Sequence, residues 1–261
     1  MFLPIASHPC RGAGRLLAAA GLLALTLGWR PAAAEEAQVD AFPATVATPR
    51  AIEATPAAGL FGTRETRSGN LAAFRKWRGV MTRYARERHL EDRPCSGGGI
   101  GACALQHWRA FLDGIAERDS RYQLNAVQRY VNRVRYRDDR TRFGKSDYWA
   151  TPREFLGRGG DCEDYAIAKY LSLKALGFDP DAMRIVVLKD RSRGINHAVL
   201  AVRHQARWLI LDNQLRVVVP MEKITHYRPY YSVNESYWWL HKQPKPRPSR
   251  SLQLAQRAKA S

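Results

Sequence analysis

Residues 148–177, YWATPREFLGRGGDCEDYAIAKYLSLKALG, decide the fold. From Cys162 onward the stretch is mostly apolar, contains no proline and runs into Gly177, so it predicts a buried helix over Cys162–Leu176 with a glycine stop. Past that glycine the pattern changes. Short β-rich runs at Arg184–Leu188, Ala198–Val202 and Trp208–Leu211, punctuated by turn residues, predict an antiparallel sheet of hairpins. Upstream, Leu71, Phe74, Trp77, Val80, Met81 and Tyr84 recur at helical spacing, which predicts an amphipathic helix over Leu71–His89. Two more helices are expected over Ala104–Arg118 and Leu124–Arg135, and the DDRTRFGKSD segment at 138–147 reads as a turn. Helices, then a central helix, then strands make an α+β fold with the central helix packed on the sheet.

The flanks read differently. Arg11 and Arg15 precede an apolar run from Leu16 to Leu27, and Ala32, Ala33 and Ala34 supply the small residues of a cleavage site. Residues 1–34 are therefore expected to be a signal peptide that exports the chain to the periplasm, the alternative being an uncleaved N-terminal anchor. Residues 35–69, rich in Ala, Thr, Pro and Gly, read as a flexible leader, residues 70–241 as one compact domain, and residues 242–261 as a disordered basic tail. No later run approaches the roughly 20 apolar residues of a spanning helix, so no transmembrane span is expected in the mature chain.

The 261 residues carry a formal charge of +18. That balance raises nucleic acid as a partner, but the basic residues are spread along the chain and no zinc-finger or RNA-recognition signature accompanies them. A solvated basic surface near an anionic envelope fits better. Export also governs the cysteines, because the periplasm is oxidising. Cys95 and Cys103 flank a glycine-rich segment flexible enough to close as a disulfide, which leaves Cys162 outside the bridge. Such a cysteine is either a buried apolar thiol or one kept for chemistry.

Its surroundings favour chemistry. Cys162 follows GRGGD and opens the predicted helix, where unpaired amides favour a thiolate, and the glycines would let a substrate backbone approach. His197 opens one strand, in NHAVLAV, and Asp212 closes another, in WLILDN. On neighbouring strands they would hold an imidazole and a carboxylate side by side, as acyl transfer by a cysteine requires. Each also has a structural reading: a histidine satisfied in the core, an Asp-Asn turn, and helix-start carboxylates for Asp161, Glu163 and Asp164. Zinc is not favoured, since no Cys-x-x-Cys or His-x-x-x-His pair is present.

The 148–177 block, together with NHAVLAV and LILDN, resembles the bacterial transglutaminase-like cysteine proteinases, the periplasmic LapG-type enzymes that release large surface adhesins. The resemblance spans about residues 70–241. It implies a papain-like, transglutaminase-like fold, a triad of Cys162, His197 and Asp212, and a calcium site formed with Asp161 and Glu163, with Asp164 as a further candidate. It also implies cleavage near the N-terminus of an adhesin, thereby controlling attachment and biofilm, and sequestration by an inner-membrane cyclic di-GMP receptor. The backbone N–H of Cys162 would donate to the oxyanion, with the region of Trp149 as a second source. A transglutaminase or amidase using the same three residues, and a non-enzymatic basic envelope-binding protein, stay open at this point.

Overall fold

The structure, a computed structural model, describes residues 59–95, 103–144 and 147–244. The expected signal peptide, most of the expected leader and residues 245–261 of the expected tail lie outside them. The helices are α1 (Arg75–Glu87), α2 (Ala104–Asp113), α3 (Ser120–Val131), α4 (Asp139–Phe143), α5 (Pro152–Arg158) and α6 (Cys162–Ala175). The strands are β1 (Arg64–Ser68), β2 (Met183–Asp190), β3 (Ile195–His204), β4 (Arg207–Leu211), β5 (Val219–Pro220), β6 (Tyr227–Val233) and β7 (Trp238–Lys242). They form one antiparallel sheet in the order β1-β7-β6-β2-β3-β4-β5. The α+β arrangement read from the sequence is therefore the fold.

The alternation of side chains along each strand divides the apolar residues between two faces. Ile185, Leu200, Val202, Leu209, Leu211 and Val233 join the helical core with Trp77, Trp108 and Tyr170. Val186, Leu188, Val199, Ala201 and Ile210 point the other way and are covered by Leu60, Ile224 and Tyr227. Helix α6 lies between β2 and β3 on one side and α3 and α5 on the other, and from Cys162 to Leu173 every residue is buried. That enclosure is why its sequence shows no apolar stripe set against a polar face. The core indoles are satisfied: Trp77 donates to the Asn234 carbonyl at 2.9 Å and Trp108 to Ser172 Oγ at 2.8 Å.

The structure changes four expectations, the first being the turn at 138–147, a segment that holds helix α4. Residues 59–69 belong to the fold: Leu60 is fully buried and β1 pairs with β7. Strand β1 escaped notice because RETRS is a polar edge strand, held through Glu65 to Arg184 at 2.9 Å and not by an apolar alternation. The third helix starts earlier, at Ser120, where Asp119 Oδ1 accepts from the Tyr122 N–H as N-cap. The second helix stops at Asp113, where Gly114 follows. Helix α5 is specified by a capping box between Thr151 and Glu154 with Pro152 in its first turn, signals of a helix end more than of a helix face. Cys95 and Cys103 are bonded as a disulfide, as expected, and Cys162 lies outside it.

Two local features carry predictions. The β3–β4 hairpin turns on Gln205 and Ala206, both at positive φ (48° and 62°), where a left-handed backbone disfavours a Cβ. Ala206→Gly is therefore expected to stabilise the fold by about 1 kcal/mol, read as a higher urea midpoint at unchanged slope; an unchanged or lower midpoint contradicts it. In β7, His241 is buried with Nδ1 2.9 Å from Thr63 Oγ1 and Nε2 2.9 Å from Ser232 Oγ. Thr63 donates its own proton to the Leu60 carbonyl, so its oxygen accepts from His241 Nδ1–H, and Nε2 accepts from Ser232. Burial pushes the imidazole down to about 4, with the charge of Glu65 opposing. Between that value and the ordinary 6.5 the unfolded chain binds more protons, so stability is full above pH 6.5 and falls as pH drops toward 4. Thermal melts of His241→Gln across that range should show a shallower acid decline than wild type; parallel curves would assign the decline to other groups.

Candidate active site

Cys162 is the first residue of α6 and is buried. It packs against Ala198, the residue after His197, with Tyr136, Val187 and Ile195 around them. Its Sγ lies 3.3 Å from Glu163 Oε2. The glycines before it are required by the chain's own packing. Gly159 has φ +85°, and a Cβ there would stand 2.4 Å from the Arg135 carbonyl oxygen. A Cβ on Gly160 would stand 2.1 Å from Asp164 Oδ2. The pair lets the strand-like segment at Tyr136 bridge to Gly160 and brings the helix start against it.

His197 sits in β3 and Asp212 directly follows β4, its neighbour in the sheet. Their contact, Nε2 to Oδ1 at 2.9 Å, is fully enclosed. A neutral imidazole bonded this way to a carboxylate keeps its proton on Nε2, so Nδ1 is the basic nitrogen. Asp212 is held on every side. Tyr227 donates its hydroxyl to Oδ2 at 2.5 Å, the Gln214 N–H donates to Oδ1 at 2.8 Å, and the side-chain amides of Gln128 on α3 and of Asn132, the C-cap of that helix, donate to its carbonyl at 2.7 and 3.1 Å. Burial alone would raise this carboxyl, but the charge and hydrogen bond of His197, with those of Tyr227 and Gln214, bring it down to about 2.

A second cluster adjoins the thiol. Asp139, Asp147 and Glu163 have ligand oxygens within 4.8 Å of one another, as do Asp139, Asp161 and Asp164, so five carboxylates gather around Asp139. Burial, then mutual repulsion, pushes Asp161 up to about 12 and Glu163 to about 7, and raises Asp164 strongly. Asp139 rises to about 6, chiefly through burial. Asp139 Oδ1, Asp147 Oδ1 and Asp161 Oδ1 are buried without a hydrogen-bond partner among the described residues. Crowded hard oxygens with unmet acceptors are what a divalent cation such as calcium satisfies. Asp164 has a structural duty as well, accepting from Ala150 N–H at 2.6 Å and from Asp161 N–H at 3.3 Å.

The sequence profile of the bacterial transglutaminase-like cysteine proteinases matches residues 102–254. The chain belongs to this family. Among solved structures, Legionella pneumophila LapG in its calcium-bound form is 27% identical, with a TM-score of 0.52 over 67% of this chain and 98% of that one. The EGTA-treated form is 29% identical, with a TM-score of 0.53 over 65% and 91%. No curated protein sequence matches the chain.

Within this LapG-type fold the structure joins His197 to Asp212 and sets Cys162 beside the strand that carries His197. It also gathers Asp161, Glu163 and Asp164. Asp139 and Asp147 were missed. Both lie in the segment read as a turn, and the available signal was an acidic residue at each of its ends. Gln128, Asn132, Gln214 and Tyr227 were missed too, because a polar side chain on an otherwise apolar face carries no mark of its partner. Trp149 is buried with its ring edge-on to Trp77, which makes it a packing residue.

Proposed function

We propose that this family member is a calcium-dependent cysteine endopeptidase of the periplasm that cuts the N-terminal region of a large surface adhesin and so controls attachment and biofilm. Cys162 is the nucleophile, His197 its base and Asp212 the group that orients the base. The observation that carries this reading is the enclosed Nε2–Oδ1 pair, whose histidine stands on the strand against which the helix-start thiol packs through Ala198. Because that pair commits the proton to Nε2, Nδ1 is the nitrogen that takes the thiol proton. The thiolate attacks a peptide carbonyl, the oxyanion is met by first-turn amides of α6 including that of Cys162, and the imidazolium protonates the leaving amine. Water then releases the acyl group from Cys162.

Asp139, Asp147, Asp161, Glu163 and Asp164 are the residues that would hold calcium. Bound there, it supplies positive charge that lets these carboxylates ionise together and fixes the start of α6. The LapG structures in calcium-bound and EGTA-treated forms support a calcium role. No helix among the described residues is long and apolar enough to cross a membrane.

The test is incubation of the protein with an adhesin N-terminal fragment, with and without EGTA, beside the Cys162→Ala variant. Two new fragments that appear only with calcium and only with wild type are expected. Incorporation of an added amine at a glutamine, without chain cleavage, would replace the endopeptidase by a transglutaminase. Binding of the fragment with neither outcome would leave a non-enzymatic protein.

A further inference from the structure

The turn that follows β4 brings one more side chain to the base. Gln214 Nε2 lies 3.5 Å from His197 Nδ1, the nitrogen left basic by the bond from Nε2 to Asp212. A basic ring nitrogen accepts, so the carboxamide NH₂ of Gln214 donates to it, at the long limit of a hydrogen bond. The backbone beneath this contact is fixed. The Gln214 N–H donates to Asp212 Oδ1 at 2.8 Å, the Leu215 N–H donates to the Asp212 carbonyl at 3.2 Å, and the Leu215 carbonyl accepts from the side chains of Gln128 and Asn132 at 2.7 and 2.9 Å. Gln214 is tied at its backbone to the carboxylate that holds the imidazole, while its half-buried side chain meets Nδ1 through a long contact.

That contact does not survive the first proton transfer. Once Nδ1 has taken the thiol proton it is a donor, and it then faces a second donor in the Gln214 NH₂. The amide is released at the step in which Nδ1–H must come within about 3 Å of the leaving nitrogen. In a peptide the next carbonyl oxygen lies about 3 Å from that nitrogen, because only Cα and the carbonyl carbon stand between them. It is an acceptor within reach of an amide that began 3.5 Å from Nδ1. Every residue offers such a carbonyl, so a neutral donor serves whatever side chain follows the cut. We propose that Gln214 binds the leaving side of the substrate, its carboxamide passing from His197 Nδ1 to the backbone carbonyl of the residue after the scissile bond and turning the leaving amine toward the imidazolium. When the proton has moved to the amine and the C–N bond has broken, the acyl group stays on Cys162, Nδ1 is again an acceptor and the amide returns to it. This rests on the reading of Cys162 as nucleophile and His197 as base.

The experiment compares two substrates that share one acyl half, the sequence before the cut in the adhesin fragment. One is a peptide that continues several residues past the cut. The other ends in p-nitroaniline, which also leaves as an amine but has no backbone carbonyl after the scissile nitrogen. Values of kcat/KM, which report the path from free enzyme to acyl-enzyme, are measured with calcium for wild type, Gln214→Met and Gln214→Ala. The ratio of peptide to anilide should fall about fivefold in both variants, the worth of about one neutral hydrogen bond. Both substrates meet the same preparation, so any unfolded fraction of a variant cancels from the ratio. An unchanged ratio overturns the proposal, whether both substrates lose rate equally, which would make Gln214 a support of the imidazole alone, or neither does. Failure of the parent reading shows elsewhere, as an adhesin fragment that wild type leaves whole or as cleavage that survives His197→Ala.

Discussion

Cys162→Ala and His197→Ala should each remove about 10⁶ of the cleavage rate, and Asp212→Ala about 10⁴, if the three act as one unit in the way known for serine protease triads. The ordering follows from the contacts. Without the thiol there is no nucleophile, and without the imidazole nothing takes its proton. Without Asp212 the imidazole remains but is free to carry its proton on either nitrogen and loses the bond that fixes its plane. Asparagine at 212 is expected to fall between alanine and wild type. Its oxygen can take the place of Oδ1 toward His197 and the Gln214 N–H, leaving its NH₂ facing the Tyr227 hydroxyl, which must then turn from donor to acceptor. Tyr227→Phe should therefore lower Asp212→Asn further, because the buried NH₂ then has no acceptor, while only slightly impairing the wild type. Rates from single-turnover assays on each variant would check this order. Asp212→Asn equal to Asp212→Ala would show that Tyr227 does not govern the amide's orientation, and near-normal turnover in His197→Ala would assign the base elsewhere.

Removing calcium should silence the enzyme by at least about 10²-fold, because ångström-scale displacement of a reacting group costs about that much. Glu163 and Asp161 flank Cys162, so whatever neutralises their repulsion also fixes the first turn of α6. The cluster includes carboxylates outside that turn as well. Asp139→Asn and Asp147→Asn should weaken calcium binding together with activity, although both lie well before Cys162 in sequence. Cys162→Ala should lose activity and keep the metal. Magnesium should restore little, since it demands a tight octahedral shell that five crowded carboxylates do not supply. Calcium at about 1,000 times its dissociation constant should stabilise the fold by about 4 kcal/mol, visible as a raised melting temperature lost in Asp139→Asn. Full cleavage in excess EGTA by dialysed protein, or unchanged calcium affinity in both asparagine variants on calorimetry, would remove the cluster from the mechanism.

How far the sequence could be read depended on whether a residue's role is local. Cys162 at a helix start, its glycine stop at Gly177 and the three central strands are written in neighbouring residues, and they appear where expected. Three elements were not legible. Strand β1 is polar and owes its place to Glu65, Arg184 and the β7 backbone. Strands β6 and β7 turn on Asn234, whose side chain accepts from the Ser236 and Tyr237 N–H groups, a signal that any loop asparagine could give. The acidic cluster is assembled by the approach of α4 to α6, and proximity across twenty residues leaves no spacing to count. The candidate site shows the same division. His197 and Asp212 were named from their strand ends, while the residues that hold Asp212 come from α3, β6 and the following loop and are visible only once those elements are packed.

The pairing of β1 with β7 has a mechanical consequence. Arg64 stands opposite Lys242, so the strands that begin and end the sheet in sequence lie side by side, with those two residues at the same end of the ladder. A force drawing the two ends of this domain apart would load that ladder one residue pair at a time, as a zipper, and not all of it at once in shear. The domain should therefore peel at low force from this edge. First lost would be the Leu60 segment that covers the far face of the sheet, while α6, which is buried between layers, would stay intact until much of the ladder had opened.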